Sequence, residues 1–151
     1  MNSTEVERVR RHTSKRSNER IDHAIADTIK AHAGESDAVL TRRLDELDRE
    51  WDVDRTLQTA AATMALTTAT LGLRVNRRWL VLTGGILGFL LLHGTRGWCP
   101  PLPVLRRLGV RTRAEIDRER FALKFLRGDF DLARTADGRI NLPALIHAVK
   151  T

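Results

Sequence analysis

The sequence predicts an all-α membrane protein, a two-span transmembrane helical hairpin with flanking cytoplasmic amphipathic helices. Three observations predict it. No Asp, Glu, Lys or Arg occurs from Leu57 to Leu73, and none occurs from Trp79 to Thr95. The two charge-free segments are separated only by the polar run Arg74-Val75-Asn76-Arg77-Arg78. The flanks, by contrast, are dense in Arg, Asp and Glu. A soluble helical protein spreads its charges as a stripe along each helix, whereas here whole segments lack them.

The first segment, with its span at about residues 55–73, is apolar but weakly so, rich in Ala and Thr. A helix facing lipid alone calls for more Leu, Ile and Phe. Ala61, Ala65 and Ala69 fall at i, i+4 and i+8, a strip of small residues suited to close packing on a partner helix. The second segment, at about residues 79–95, is strongly apolar. Trp79 to Trp98 covers roughly 28–30 Å as a helix, close to the hydrocarbon thickness of a bilayer. The two tryptophans stand where interfacial anchors belong. Gly84 and Gly88 form a Gly-x-x-x-Gly pair, expected to face the Ala61/Ala65/Ala69 strip or its copy in a second chain.

Outside the spans, Ile21, Ala24, Ile25, Thr28 and Ile29 mark one helix between Ser17 and His32, stopped at Ala33-Gly34. Residues 1–16 read as a basic, mobile segment. A second helix from Thr41 carries Leu44, Leu47 and Trp51 on one side, with mixed charges on the others. Gly97-Trp98-Cys99-Pro100-Pro101-Leu102-Pro103 reads as a turn leaving the membrane. Thr112 and Glu115 have capping-box spacing, opening a helix to about Arg127 with Gly128 as its stop. Ile116, Phe121, Ala122, Leu123, Phe125 and Leu126 would form its apolar face. A loop with an Asp137-Gly138 turn precedes a last helix, Leu142–Val149, capped by Asn141. The organisation is thus 1–52, an N-terminal cytoplasmic segment; 53–110, the hairpin; and 111–151, a C-terminal cytoplasmic segment.

The formal net charge is +7, with a pI near 10.9 and a mildly polar mean hydropathy of -0.30. The basic residues are mostly Arg and no zinc-finger or aromatic-basic motif occurs, so no nucleic-acid partner is expected. The implied partners are the lipid bilayer and a second copy or another membrane or cytoplasmic protein. No signal-peptide core precedes the first apolar segment, so that segment should remain as a span. Positive residues are retained in the cytoplasm. Arg42, Arg43, Arg49 and Arg55 before the hairpin, and Arg96, Arg106, Arg107, Arg111 and Arg113 after it, outnumber the three in the connection. Both termini are therefore expected in the cytoplasm of a bacterial inner membrane.

Chemistry-bearing motifs are few. Around Asp137-Gly138-Arg139-Ile140, a calcium loop would place Ala133, Thr135 and Ala144 at ligand positions, which lack the oxygens calcium needs. No phosphate-binding Gly loop, His-x-x-x-His pair or nucleophile elbow occurs, and no enzyme activity, metal or cofactor is expected. His93 sits near the end of the second span, one turn from Arg96, and reads as hydrated at the interface. The single cysteine, Cys99, is the candidate reactive thiol, for redox or sulfur handling; as a buried structural thiol it would be inert.

Val53-Asp54-Arg55, the two apolar spans, Gly97-Trp98-Cys99-Pro100 and Leu108-Gly109-Val110 together resemble the YgaP-like inner-membrane domain family over about residues 53–110. The resemblance implies a small two-helix membrane domain with an Asp-Arg pair, here Asp54 and Arg55, before the first span and a Cys-Pro, here Cys99 and Pro100, after the second. The chain departs from the pattern at Gln58 and Pro101. Some members carry a rhodanese; nothing in this chain resembles one, so sulfurtransferase activity is not implied. The function read from the sequence is a non-catalytic membrane anchor and interaction module. The alternatives are a sulfur- or redox-linked membrane component acting through Cys99, and a soluble helical protein with a buried apolar helix pair.

Overall fold

The computed structural model describes residues 8–133 and 140–150. The chain is all-helical, with no strand among the described residues. Residues 8–11 are helical, and after them come α1 (Lys15–Ala31), α2 (Asp37–Arg49), α3 (Val53–Arg74), α4 (Trp79–Arg96), α5 (Leu102–Arg107), α6 (Arg113–Leu126) and α7 (Leu142–Lys150). A 3₁₀ turn, Asp131–Ala133, lies between the last two. The expected Asp137-Gly138 turn and the first seven residues of the basic N-terminal segment lie outside the described residues.

The chain divides into two compact units. The first groups the chain up to Ile21 with Trp51–Ala114, and the second groups Asp22–Glu50 with the chain from Glu115. These units cut across the sequence-based division at 52 and 110: the chain up to Ile21 groups with the hairpin, and α2 groups with the C-terminal helices. The charges follow the units. The first holds 15 of the 26 Lys and Arg but 5 of the 19 Asp and Glu, a net of +10, which leaves the second at 11 against 14, a net of -3.

In the first unit α3 and α4 pack as an antiparallel pair. Asp52 caps α3, its carboxylate accepting from Arg55 N–H at 2.7 Å. The face of α3 turned to α4 runs through Leu57, Ala61, Ala65, Thr68 and Gly72, all buried or half-buried. The Thr68 and Thr83 hydroxyls hydrogen-bond across the pair at 2.8 Å. At Gly72 a Cβ would come within 2.6 Å of Leu80 Cδ2 and 3.2 Å of the Leu80 backbone nitrogen, so the close approach there requires glycine. The Ala61/Ala65/Ala69 strip lies at or beside this seam, as small-residue packing requires. Gly84 and Gly88 do not face it. A Cβ at either would meet nothing within 4 Å, because α4 turns Thr83, Ile86, Leu90 and His93 toward α3. These four recur at helical spacing, and the Gly pair falls on the opposite side.

The Cys99-Pro100-Pro101 region departs from expectation too. Instead of a plain turn, it opens α5. Gly97 ends α4 in the left-handed conformation (φ 73°), and Pro101 and Pro103 occupy the N-cap and first turn of α5, where a missing N–H costs nothing. Val9, Val53, Leu57, Cys99 and Leu102 form the core beneath the hairpin. The Val53 N–H donates to the Arg111 carbonyl at 2.9 Å, fixing the entry to α3.

The second unit is built on Leu40, Leu44, Leu47, Ile116 and Leu123. α2 begins four residues before the expected Thr41, which brings Leu40 into the core. Trp51 lies beyond its end and is exposed, with the Arg55 guanidinium stacked on its ring at 4.6 Å. In α6 the expected broad apolar face is narrower than its composition. Phe121, Phe125 and Leu126 are exposed, while Glu115, Glu119 and Lys124 are buried. The buried charges have partners: Arg43 bonds Glu119 at 2.9 Å and Lys124 Nζ donates to the Ala148 carbonyl at 3.0 Å. Asn141 accepts from Ala144 N–H at 3.3 Å, capping α7 as expected.

Candidate functional site

The chemistry in the first unit gathers where the two long helices meet its core, at the α3 N-terminus and the α4 C-terminus. Asp54 stands in the first turn of α3 and His93 in the last turn of α4. His93 Nε2 lies 2.8 Å from Asp54 Oδ1. His93 is the single buried residue of α4, 6% exposed, and its Nδ1 is buried without a hydrogen-bond partner. The sequence placed this side chain in interfacial water; the structure places it against a carboxylate.

Arg8 completes the corner. Its Nη1 donates to the carbonyls of Gly94 and Thr95 at 3.4 and 3.2 Å, the free carbonyls of a helix C-terminus. Its Nε is buried and without a partner. Gly97 is pressed against this arginine, for a Cβ there would approach Arg8 Cβ to 2.6 Å. Arg8, Val9, Asp54, Gln58, His93, Gly94 and Gly97 line a pocket of about 60 Å³, large enough for a few waters or one small polar group.

Cys99 is near this corner in the sequence but does not line the pocket. It is 7% exposed, packed in the apolar core, and burial pushes its thiol pKa up. A protonated, buried thiol is the unreactive form. Of the other residues singled out, Arg55 turns to Trp51 and takes no part in the Asp54–His93 pair. Pro100 is exposed ahead of α5. Trp79 begins α4 and Trp98 lies two residues past its end, both with exposed rings; Trp98 meets Phe89 edge-on, 6.4 Å between centroids. Among the described residues no group of three His, Cys, Asp or Glu could hold a metal.

Sequence reasoning missed Arg8 and the pairing of Asp54 with His93. A usable signal existed: folding a hairpin about Asn76 brings position 54 to within about a turn or two of His93. Nothing comparable pointed to Arg8, whose place depends on the path of the chain before α1. No family model matches the chain, and no curated protein or solved structure does. The resemblance over 53–110 rests on the residues quoted for it.

Proposed function

We propose that the protein is an integral membrane protein of the bacterial inner membrane, anchored by α3 and α4 as a two-span hairpin. The hairpin serves as an anchor and interaction module for a partner protein or a second copy, without catalysis of its own. The observation that carries this reading is the exposure of α4. Trp79–Arg96 is long and apolar enough to cross a membrane, with mean hydropathy 1.3, yet 6% of it is buried. A core helix of a soluble protein would be largely covered, and an apolar surface of this extent in water marks an interaction site. A bilayer covers it on all sides at once. This also disfavours the soluble alternative with a buried helix pair.

α3 is less apolar, but its polar side chains are suited to lipid. Thr63, Thr67, Thr68 and Thr70 each donate to the carbonyl four residues back, at 2.8–2.9 Å. Hydroxyls satisfied within their own helix need no water. The Arg excess on both outer flanks supports cytoplasmic termini. The two-helix architecture and the Asp54-Arg55 and Cys99-Pro100 pairs support membership of the YgaP-like domain family. The buried, protonated Cys99 gives the sulfur-handling alternative no support.

Fractionation of expressing cells tests the reading. After an alkaline carbonate wash the protein should stay with the membranes, and its release into the supernatant would refute integral insertion. A truncation at Asp52 should leave the membrane fraction entirely.

A further inference from the structure

The corner at Arg8 and His93 contains two buried nitrogens that lack partners, and both residues line the same pocket. Arginine Nε–H can only donate. The Asp54 carboxylate can only accept while ionised, so the His93 nitrogen facing it is the N–H. His93 Nδ1 is then left for the pocket, as a donor when it carries a proton. The Arg8 donor calls for an oxygen acceptor, and the imidazolium form of His93 adds a second donor at Nδ1. Anionic oxygens bind such donors about twice as strongly as neutral ones do. Arginine in particular matches phosphate geometry.

Charge points the same way. The unit that contains the pocket has a net charge of +10. Asp54, the one acidic residue on the pocket wall, already faces His93 Nε2. The pocket also sits at the end of α4, which the membrane reading places at headgroup depth, where anionic lipid phosphates meet basic side chains.

We propose that this pocket takes one phosphate group, held by Arg8 Nε as a donor and by Nδ1 of His93 in its imidazolium form, with Asp54 pairing with the ring from the other side. Gln58, at the open edge, adds an amide N–H. The phosphate is either that of an anionic phospholipid headgroup or free phosphate; the lipid source alone rests on the membrane reading.

The full chain, purified in an uncharged detergent, is titrated with inorganic phosphate and separately with dihexanoyl phosphatidylglycerol. The imidazole ¹⁵N signals and saturable binding are followed. At least one probe should shift the Nδ1 signal that His93→Gln removes. His93→Gln and Arg8→Lys should each weaken binding about tenfold, the usual scale for losing one charged hydrogen bond. Arg77→Gln, in the connection at the far end of the hairpin, removes one charge and should change binding less than about twofold. Should His93→Gln fail to fold, Arg8→Lys and Gln58→Leu carry the comparison. Binding of both probes identifies phosphate itself, and binding of the lipid alone identifies the headgroup. If neither probe moves His93, the pocket holds only water and the proposal fails. It fails equally if Arg77→Gln weakens binding as much as Arg8→Lys, because charge alone would then account for the effect. Release by carbonate with phosphate binding intact would overturn the membrane reading and leave the pocket standing.

Discussion

At the scale of single residues, the hairpin depends most on Gly72. Its Cβ position is occupied by Leu80, so Gly72→Val must separate the helices or displace Leu80. Overpacking of this kind costs about 1–3 kcal/mol, and thermal unfolding in detergent should show a lower midpoint. Gly84 and Gly88 have open space around them. The double Leu variant should therefore leave the unfolding of a single chain unchanged. A loss confined to an oligomer, seen by cross-linking, would place these glycines at a contact between copies. Cys99 gives a second residue-level expectation. Its burial and raised thiol pKa should make maleimide labelling slow in the folded chain and fast after denaturation. Rapid labelling of the folded protein at neutral pH would contradict the packed position and revive a chemical role for the thiol.

At the scale of elements, both long helices were legible almost to the residue, because absence of charge over a full span is a long-range signal that local propensity cannot blur. The inward faces were harder to read. Which side of α4 meets α3 is set by Thr83, Ile86, Leu90 and His93, and an almost uniformly apolar helix has no amphipathic contrast to reveal it. The small residues of α3, by comparison, marked their own seam. α5 was hidden because its prolines read as breakers, although proline suits a first helical turn. In α6, Glu119 and Lys124 looked solvent-facing by residue type alone; only the tertiary partners Arg43 and the Ala148 carbonyl show otherwise. The pocket needed three separated segments, of which the hairpin fold connects two and the chain before α1 supplies the third. The end of α6 gives a pH prediction. Arg127 bonds Asp129 at 2.6 Å, and this hydrogen bond holds the Asp129 carboxyl below the usual aspartate range. A carboxyl with a depressed folded-state pKa contributes stability above its unfolded pKa and loses it as pH falls through the folded one. Asp129→Asn should remove that acid-side dependence while changing stability little below it, as measured by unfolding midpoints across an acid titration.

At the scale of the whole molecule, the charge divides between a basic unit that contains the hairpin and an acidic unit, with net charges of +10 and -3. Arginine at both ends of the hairpin suits anionic headgroups on either side, and the larger share lies outside the connection. The central claim is that α3 crosses the membrane together with α4, though α4 alone meets the length and hydropathy of a span among the described residues. With a third reporter fused at Met1 to fix the N-terminus in the cytoplasm, two spans and one span predict opposite patterns at the other two positions. The decisive measurement pairs alkaline phosphatase, active outside the cytoplasm, with a fluorescent protein active inside it, each placed in the connection after Asn76 and after Thr151. Two spans predict phosphatase activity after Asn76 and fluorescence after Thr151. Fluorescence after Asn76 with phosphatase activity after Thr151 would mean that α4 crosses alone, and the hairpin account would be wrong.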